Sequence, residues 1–500
     1  MTPRRLDLLA LVLAMAATLA SIAVGARVFE RLPHLEDEIA FLWEAEVMAE
    51  GHIALPSPPQ PRSFLVPFVV DYEGLRFGKY PPGWPAALAI GARAGAPWLV
   101  NPLLAGLAAW LIYRLGARLV GRGVGLLAEA LTILSPMFLM LSGSLMGHML
   151  SLVLTAAFWL AWLDLFPAQP GTAPGRRTHS ALIVSLAGLS LGLLALTRPL
   201  TAVGVALPAV VHGAWLLGRG GAARRRVLLI GALAVAVASL LLLWQAALTA
   251  DPLRNPYVLW WDYDRVGFGP GHGHTASGHD LHWAWINTRH SLRAGMHDLF
   301  GWPFLSWIFL PAGLWALRRN RDGWLLFSVL PALVAVYALY WIGSWLLGPR
   351  YYVESLPGLA IVSAAGAAWL AGWIGAAARF ARIRRRAVTA ALLLLTAGNA
   401  LFYLPIRLGG LHGLYGISGA RLQAFEQIAP RRGLVIVHTS RVWAEYGTLL
   451  MLTPPFADGD LLLAYARDAQ SNARLERLFP GLPLYHYYTD EPTRLYDQPR

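Results

Sequence analysis

Long apolar segments separated by short polar loops recur along most of this chain. A helix needs about 20 apolar residues to cross a bilayer, and this rule divides the sequence into about eleven spans, within a range of about nine to thirteen. The predicted spans are residues 6–28, 98–119, 123–141, 145–166, 179–197, 199–218, 225–249, 303–317, 323–343, 351–376 and 384–406. Only 14% of the residues are charged, against about 25% in a soluble domain. The sequence therefore predicts an all-α polytopic membrane protein.

Basic residues cluster in alternate short loops, at 4–5, 114–122, 176–177, 219–226, 318–321 and 379–386. Short cytoplasmic loops are enriched in Lys and Arg, so the N-terminus is expected in the cytoplasm and the protein in the cytoplasmic membrane. The chain has 41 Lys and Arg against 28 Asp and Glu. Because the arginines lie in loops rather than along one stripe, the excess does not indicate a nucleic-acid partner.

This orientation brings three polar regions to the outer, periplasmic or extracellular face. They are the loops at 29–83 and 250–302 and the segment that follows Arg407. In that segment short apolar runs alternate with turns, a pattern that predicts strands and helices. We therefore expect a transmembrane domain at 1–406 and a small outer α/β cap at 407–500.

The first outer loop carries the acidic triplet Glu36, Asp37 and Glu38 directly after the first span. An amphipathic helix is predicted from Asp37 to Glu50, with its apolar side in the lipid boundary. That side consists of Ile39, Leu42 and Trp43. Acidic residues in a first turn also favourably meet the helix dipole, so the triplet alone does not establish a functional site.

The same loop returns to the membrane through FGKYPPGWP, which contains Lys79, the sole lysine of the chain. Pro81 and Pro82 favour an extended approach and hold Lys79 at the rim of the membrane. A lysine there either anchors the chain at the lipid headgroups or provides a charge for a phosphate.

The order of these motifs resembles the membrane glycosyltransferases of the C superfamily, in the branch of protein O-mannosyltransferases and the aminoarabinose transferase of lipid A. Asp37-Glu38 on an interfacial helix and the Lys79 motif match in order and spacing. The later pieces SGSLMGHML, TRPL and GPRYYVESLPGLA are also similar. The resemblance covers most of residues 1–406.

The resemblance implies a glycosyltransferase that moves a sugar from a polyprenyl-phosphate carrier to a hydroxyl acceptor on lipid, polysaccharide or protein. It implies that Asp37 is the general base, supported by Glu38, and that cations bind the donor phosphate. Those cations are expected to be Lys79, Arg198 and Arg350. Two of them, Arg198 and Arg350, begin apolar spans, where a lipid-facing arginine would be costly; headgroup anchoring is their other interpretation.

Three further residues are candidate substrate contacts: His148, His279 and Tyr351. His148 departs from the family pattern, in which this turn often carries an acidic residue, so a mechanism with a bridging metal is in doubt. His279 belongs to GPGHGHTASGHDLHWAWINTRH, where clustered histidines indicate metal binding but match no defined zinc spacing. Asp37 and Glu44, seven residues apart, could also share a cation. The sequence thus leaves a divalent metal open.

Two other functions remain open. A lipid-linked saccharide flippase would use a similar carrier, although transporters tend to show inverted repeats and polar residues at mid-membrane. A glycan ligase or polymerase would use a similar architecture and transfer a whole glycan. The identity of the sugar and of the acceptor does not follow from these motifs.

Overall fold

Apolar helices form most of the structure, a computed structural model that describes residues 2–167, 180–375, 381–440, 444–456 and 459–500. Positions 176, 177, 179, 376 and 379 of the predicted loops and spans lie outside these ranges. Eight helical segments in the described ranges are long and apolar enough to cross a membrane: Pro3–Arg27, Pro97–Leu119, His148–Leu165, Ser180–Thr197, Pro199–Arg219, Gly221–Thr249, Arg350–Leu370 and Arg382–Glu426. A helix pair bent by 61° makes a ninth if it is one span. The chain is a polytopic membrane protein.

The α-helices of the described chain run in this order. They are α1 Pro3–Arg27, α2 Glu36–Ala49, α3 Gly83–Arg93, α4 Val100–Leu119, α5 Arg122–Ile133, α6 Pro136–Gly143, α7 His148–Leu165, α8 Ser180–Thr197, α9 Pro199–Arg219, α10 Gly221–Ala238, α11 Leu240–Thr249, α12 Tyr257–Trp260, α13 Leu281–Asp298, α14 Leu310–Ala316, α15 Arg321–Phe327, α16 Val329–Tyr337, α17 Leu356–Leu370, α18 Ala381–Gly398, α19 Leu404–Gly409, α20 Gly419–Glu426, α21 Ala444–Gly447 and α22 Ala469–Leu478.

The difference from eleven spans lies between residues 303 and 343. Two continuous helices were expected there, but α14, α15 and α16 contain 7, 7 and 9 residues. A seven-residue helix is only about 11 Å long, so α14 alone cannot cross a bilayer. Helices α15 and α16 are separated only by Ser328, which keeps a helical conformation. Asn320 accepts a hydrogen bond from the Gly323 amide at 3.0 Å and so starts a new helix after the turn. Apolar composition alone did not reveal these breaks.

The bend within the predicted span 123–141 has a local cause. Pro136 begins α6, and the Ser135 hydroxyl accepts from the Phe138 amide at 3.3 Å, so the chain restarts a helix here. Near the other end of α5, a Cβ on Gly116 would lie 2.7 Å from the Cα of Gly125. These two glycines let α4 and α5 approach closely, as small residues do between membrane helices.

The loop at 29–83 folds as α2 and a small antiparallel sheet, and α3 follows it. The strands β1 (Leu55–Pro56), β2 (Val69–Tyr72) and β3 (Leu75–Gly78) lie in the order β1-β3-β2. The apolar side of α2 was expected in lipid, and this expectation is wrong: Ile39, Leu42 and Trp43 are 4%, 5% and 7% exposed. They pack on protein because the first loop and the C-terminal segment cover them.

The segment after residue 407 contains a four-stranded sheet. Its strands are β4 (Gly433–His438), β5 (Leu461–Tyr465), β6 (Leu484–Tyr488) and β7 (Leu495–Tyr496), in the order β5-β4-β6-β7. Both neighbours of β4 are parallel to it. Phe64 of the first loop packs with Leu434, Ile436 and Leu462 of the sheet. The sheet thereby rests on the loop that carries Asp37.

Candidate active site

Asp37 lies in the first turn of α2, where its carboxylate meets one hydroxyl and one cation. The hydroxyl of Tyr80 donates to Oδ1 at 2.5 Å, and Nη1 of Arg350 lies 3.7 Å from Oδ2. The side chain of Asp37 is 26% exposed. This carboxylate is therefore held in position while one side of it stays open.

Tyr80 is fixed by aromatic neighbours. Its ring centroid lies 4.4 Å from that of Phe41, and the rings of Phe68 and Tyr257 meet it edge-on. Burial raises the pKa of Tyr80 well above its ordinary value, and the charge of Asp37 acts in the same direction. Tyr80 thus remains a neutral phenol that donates its proton to the Asp37 hydrogen bond.

Glu38, implied as the second catalytic carboxylate, is buried with 1% exposure. Its Oε2 accepts from the amides of His34 at 2.6 Å and Leu35 at 3.1 Å, and its Oε1 accepts from the Leu145 amide at 2.9 Å. Burial raises the pKa of Glu38, against the lowering effect of these three donors. Glu38 therefore ties the start of α2 to the turn before α7 and positions Asp37.

Arg198 lies between α8 and α9 and points to a buried carboxylate. Its Nη1 donates to Oε1 of Glu354 at 2.7 Å, and its Nη2 donates to the Tyr337 hydroxyl at 3.0 Å. The Ser151 hydroxyl donates to the same Glu354 oxygen at 2.5 Å. This network links α7, α9 and the segment before α17.

Arg350 and Tyr351 complete this side of the site. The guanidinium carbon of Arg350 lies 5.6 Å from the centroid of the Tyr351 ring, and that of Arg198 lies 5.8 Å from it. Tyr351 stacks on Tyr337 with centroids 4.5 Å apart. The predicted substrate contact Tyr351 therefore lies beside both arginines.

His148, at the start of α7, is 3% exposed. Neither ring nitrogen has a hydrogen-bond partner within the described residues. The ring lies within the electrostatic influence of the Arg198 and Arg350 side chains. A buried imidazole without a partner usually requires a ligand or a water molecule, so His148 has a free polar edge next to the two arginines.

Lys79, predicted to bind the donor phosphate, already has a counterion. Its Nζ lies 3.2 Å from Oδ2 of Asp264, and the two side chains are 3% and 1% exposed. Burial lowers the pKa of Lys79, and the charge of Asp264 opposes this effect. Four rings surround the ammonium group, with centroids at 3.8, 4.8, 4.9 and 5.4 Å: Phe68, Trp261, Tyr257 and Tyr80. Lys79 therefore lies in a buried ion pair surrounded by aromatic side chains.

The histidine loop is held by aromatic contacts. His279 stacks on Phe268 at 5.2 Å, and its Nε2 is 3.0 Å from the carbonyl oxygen of Ala338. These contacts fix the orientation of the His279 ring within the loop. Among the described residues, no group of three or more His, Asp or Glu side chains could hold a metal ion.

The proposed Asp37–Glu44 cation site also lacks support. A Cβ on Gly78 would lie 2.4 Å from Oε2 of Glu44, so this carboxylate lies against β3. Both Glu44 oxygens are buried without a hydrogen-bond partner in the described chain, and burial raises the pKa of Glu44 well above its ordinary value. Glu44 is thus buried against the sheet, whereas the side chain of Asp37 is partly exposed.

Three partners of the candidate residues did not emerge from the sequence. They are Tyr80, which donates to Asp37; Asp264, which pairs with Lys79; and Glu354, which pairs with Arg198. Tyr80 stands inside the quoted motif FGKYPPGWP, and Glu354 follows Arg350 by four residues in GPRYYVESLPGLA. Asp264 ends the run WWDYD, where the aromatic residues attracted attention instead. The Lys79–Asp264 contact joins positions 185 residues apart, and no local pattern indicates such a pairing.

The backbone is similar to solved membrane proteins along almost its whole length. Apo ArnT from Cupriavidus metallidurans aligns with a TM-score of 0.59 at 15% identity, over 96% of this chain and 89% of that one. ArnT bound to undecaprenyl phosphate aligns with a TM-score of 0.59 at 14% identity, over 98% and 91%. The oligosaccharyltransferase AglB from Archaeoglobus fulgidus, in complex with an inhibitory peptide and a dolichol-phosphate, aligns with a TM-score of 0.52 at 13% identity, over 90% and 64%.

The chain has the fold of the solved ArnT and AglB structures. No protein-family model matches the sequence, and no curated protein matches it. At these low identities the likeness establishes the fold, and the chemistry must be argued from the side chains. In this fold, contacts connect Asp37, Arg350, Tyr351 and Arg198.

Proposed function

We propose that this protein transfers a sugar from a polyprenyl-phosphate carrier to a hydroxyl acceptor at the outer face of the cytoplasmic membrane. The observation that carries the proposal is the placement of Asp37. It is an accessible carboxylate, oriented by Tyr80, beside a group of arginines in a membrane fold. A polyprenyl donor needs an enzyme that it can reach from the bilayer, and this fold provides one.

Asp37 acts as the general base. It accepts the proton of the acceptor hydroxyl while that oxygen attacks the anomeric carbon of the sugar. The bond between the anomeric carbon and the phosphate oxygen breaks, and its electron pair leaves with the polyprenyl phosphate. One direct displacement inverts the anomeric configuration, and the protein's own side chains supply the base and the cations for it.

Arg350 and Arg198 bind the phosphate and stabilise its charge as it leaves. Their side chains are 18% and 14% exposed, whereas that of Lys79 is 3% exposed. His148 adds a ring N–H on the same side. Lys79 then has the supporting role of holding Tyr80 and the segment around Asp264 in place.

Each of the three cations faces a carboxylate, and the contacts differ in length. They measure 2.7 Å for Arg198–Glu354, 3.2 Å for Lys79–Asp264 and 3.7 Å for Arg350–Asp37. The last pair is the most exposed and the longest, so a phosphate replaces it at the lowest cost. Binding of the donor to Arg350 would then also free Asp37 for the acceptor.

The experiment uses purified protein in proteoliposomes with a panel of polyprenyl-phosphate sugars and a lipid extract as acceptor. Mass spectrometry of the products should detect an acceptor heavier by one sugar and free polyprenyl phosphate. Movement of the donor across the bilayer without a product would indicate a flippase. Addition of a whole glycan would indicate a ligase or polymerase. Either outcome would overturn the proposal.

A further inference from the structure

A cavity bordered by charged and aromatic side chains lies at the other end of the helical bundle from Asp37. It has a volume of about 530 Å³ and is bounded by α1, α4, the start of α5 and the end of α7. Asp164 of its wall is 16 residues along α7 from His148, which is about 24 Å at the rise of an α-helix. The cavity therefore belongs to the opposite membrane leaflet and is separate from the candidate active site.

Most charges around this cavity are paired. Nε of Arg118 lies 2.6 Å from Asp164, and Nη1 lies 3.3 Å from Asp322. Nε of Arg122 lies 3.0 Å from Asp7, which also accepts from the Tyr113 hydroxyl. These contacts fix two of the three arginines in the wall.

Arg114 is the exception. Within the described residues it makes no ion pair, and its guanidinium lies 5.7 Å from the centroid of the Trp110 ring. The charge of Arg114 acts on the Asp7 carboxylate electrostatically, without a direct contact. The next turn of α4 presents Ala117 to the same cavity. A small side chain there leaves space beside an unpaired guanidinium, a group that binds phosphate with two parallel hydrogen bonds.

An apolar stripe on α4 leads to Arg114. Leu103 and Leu107 are 64% and 45% exposed, and Trp110 follows them three residues after Leu107. Spacings of three and four residues place all of them on one side of the helix. Along this face of α4, leucines are followed by the indole of Trp110 and then by the guanidinium of Arg114. The same order occurs in a lipid, where the acyl chain is followed by the interface and then by the headgroup.

We propose that this cavity binds the phosphate headgroup of an anionic phospholipid, with Arg114 as its phosphate ligand. The acyl chain lies along Leu103 and Leu107, and Trp110 lies at the headgroup boundary. The shared chemistry with a soluble phosphate ester is the phosphate itself, but the leucine stripe favours a lipid. This site does not depend on the proposed transferase activity.

The test is native mass spectrometry of the full chain in detergent, titrated with phosphatidic acid, with diacylglycerol and with glycerol 3-phosphate. Phosphatidic acid should bind, and the other two should bind at least about tenfold more weakly, since each lacks one half of the match. Equal binding of diacylglycerol would overturn the phosphate contact. Equal binding of glycerol 3-phosphate would overturn the assignment to a lipid.

Two variants and one control locate the site. Arg114→Gln removes the cation, and Ala117→Leu fills the cavity without changing any charge; each should weaken phosphatidic acid binding about tenfold. Arg219→Gln is the control, because Arg219 also lies over a tryptophan, 3.7 Å from the Trp215 ring, but does not line this cavity. Equal loss in Arg219→Gln, or unchanged binding in Ala117→Leu, would overturn the proposal.

Discussion

Arg350 makes the longest of the three cation–carboxylate contacts at the candidate site, at 3.7 Å from Asp37. We predict that Arg350→Gln raises the KM for the polyprenyl-phosphate donor by about 10- to 100-fold, the loss expected for a charged hydrogen bond to phosphate. Arg350→Lys should lie in between, because lysine keeps the charge but loses the planar fork. Initial rates against donor concentration measure this effect.

The matched control is Arg265→Gln. Arg265 is exposed in the loop at 250–302, and within the described residues its side chain donates only to the carbonyl oxygen of Asp262, at 2.9 Å. Its donor KM should remain within about twofold of the wild type. An unchanged KM in Arg350→Gln would show that Arg350 does not bind the donor phosphate.

At the residue scale, the sequence was informative where a charged side chain would be energetically unfavourable in lipid. Arg198 and Arg350 at the ends of apolar spans pointed to a polar cavity, and the structure brings both to Tyr351. Lys79 met the same criterion, yet its counterion Asp264 lies far away in the chain. A charged side chain that would be unfavourable in lipid is expected to have a polar partner, but the sequence does not identify that partner.

At the element scale, the segment from Tyr257 to Asp264 is attached to the first loop through Lys79. We predict that Lys79→Met destabilises the protein by about 3–5 kcal/mol, because Asp264 would be left buried without its cation. Lys79→Met/Asp264→Asn should recover part of this loss. Thermal unfolding in detergent measures both, and an unchanged Tm in the single variant would contradict the buried ion pair.

Glu46 lies on α2 at a cavity that the C-terminal segment also lines, and its burial makes the stability of the fold sensitive to pH. It lines a cavity with Trp43, Arg76 and Tyr446, and burial raises its pKa from the ordinary 4.5 to about 7. Between pH 4.5 and about 7, the Glu46 carboxyl is therefore protonated in the folded state and ionised in the unfolded state. Stability should fall as pH rises through this window, by about 1–3 kcal/mol for this group.

Thermal unfolding of the wild type and Glu46→Gln at pH 5, 6, 7 and 8 checks this prediction. The variant should lose less stability on going from pH 5 to pH 8 than the wild type. Glu50→Gln, at an exposed position at the end of the same helix, is the control and should follow the wild type. Equal pH dependence in Glu46→Gln would contradict the assignment to Glu46.

Helix α2 also shows what periodicity leaves undetermined. Its apolar side was correctly identified as a surface to be buried, but the pattern is the same whether lipid or protein covers it. The first loop and the C-terminal segment cover this side of α2. The resulting apolar cluster contains both Ile39 and Ile417, which lie more than 300 residues apart in sequence. Likewise, the apolar stretch at 303–343 did not reveal its turns.

At the scale of the whole molecule, the distribution of arginines predicts which face is outside. The chain has no cysteine, so single cysteines can be labelled without background. Ser277→Cys, exposed in the second outer loop, should react with a membrane-impermeant maleimide in intact cells with a permeabilised outer layer. Gly123→Cys, exposed at the start of α5, should react only after the membrane is opened. The reverse pattern would invert the topology.

Fold class was accessible from the sequence because the bilayer imposes a length and a composition on every span. The C-superfamily likeness followed from motifs with a fixed order, such as Asp37-Glu38 and the Lys79 motif. The exact span count did not follow, because nine or fewer of the described apolar segments form long helices. Long-range pairings, such as Tyr80 with Asp37, became visible only in three dimensions.

The most direct test of the account compares sugar transfer by the wild type, Asp37→Asn and Glu36→Gln in proteoliposomes with a polyprenyl-phosphate sugar. Asp37→Asn should lower kcat by at least about 100-fold, the usual contribution of a general base, with donor binding retained. Glu36→Gln, one residue earlier in the same turn, should stay within a few-fold of the wild type. Transfer by Asp37→Asn at the wild-type rate would contradict the assignment of Asp37 as the base.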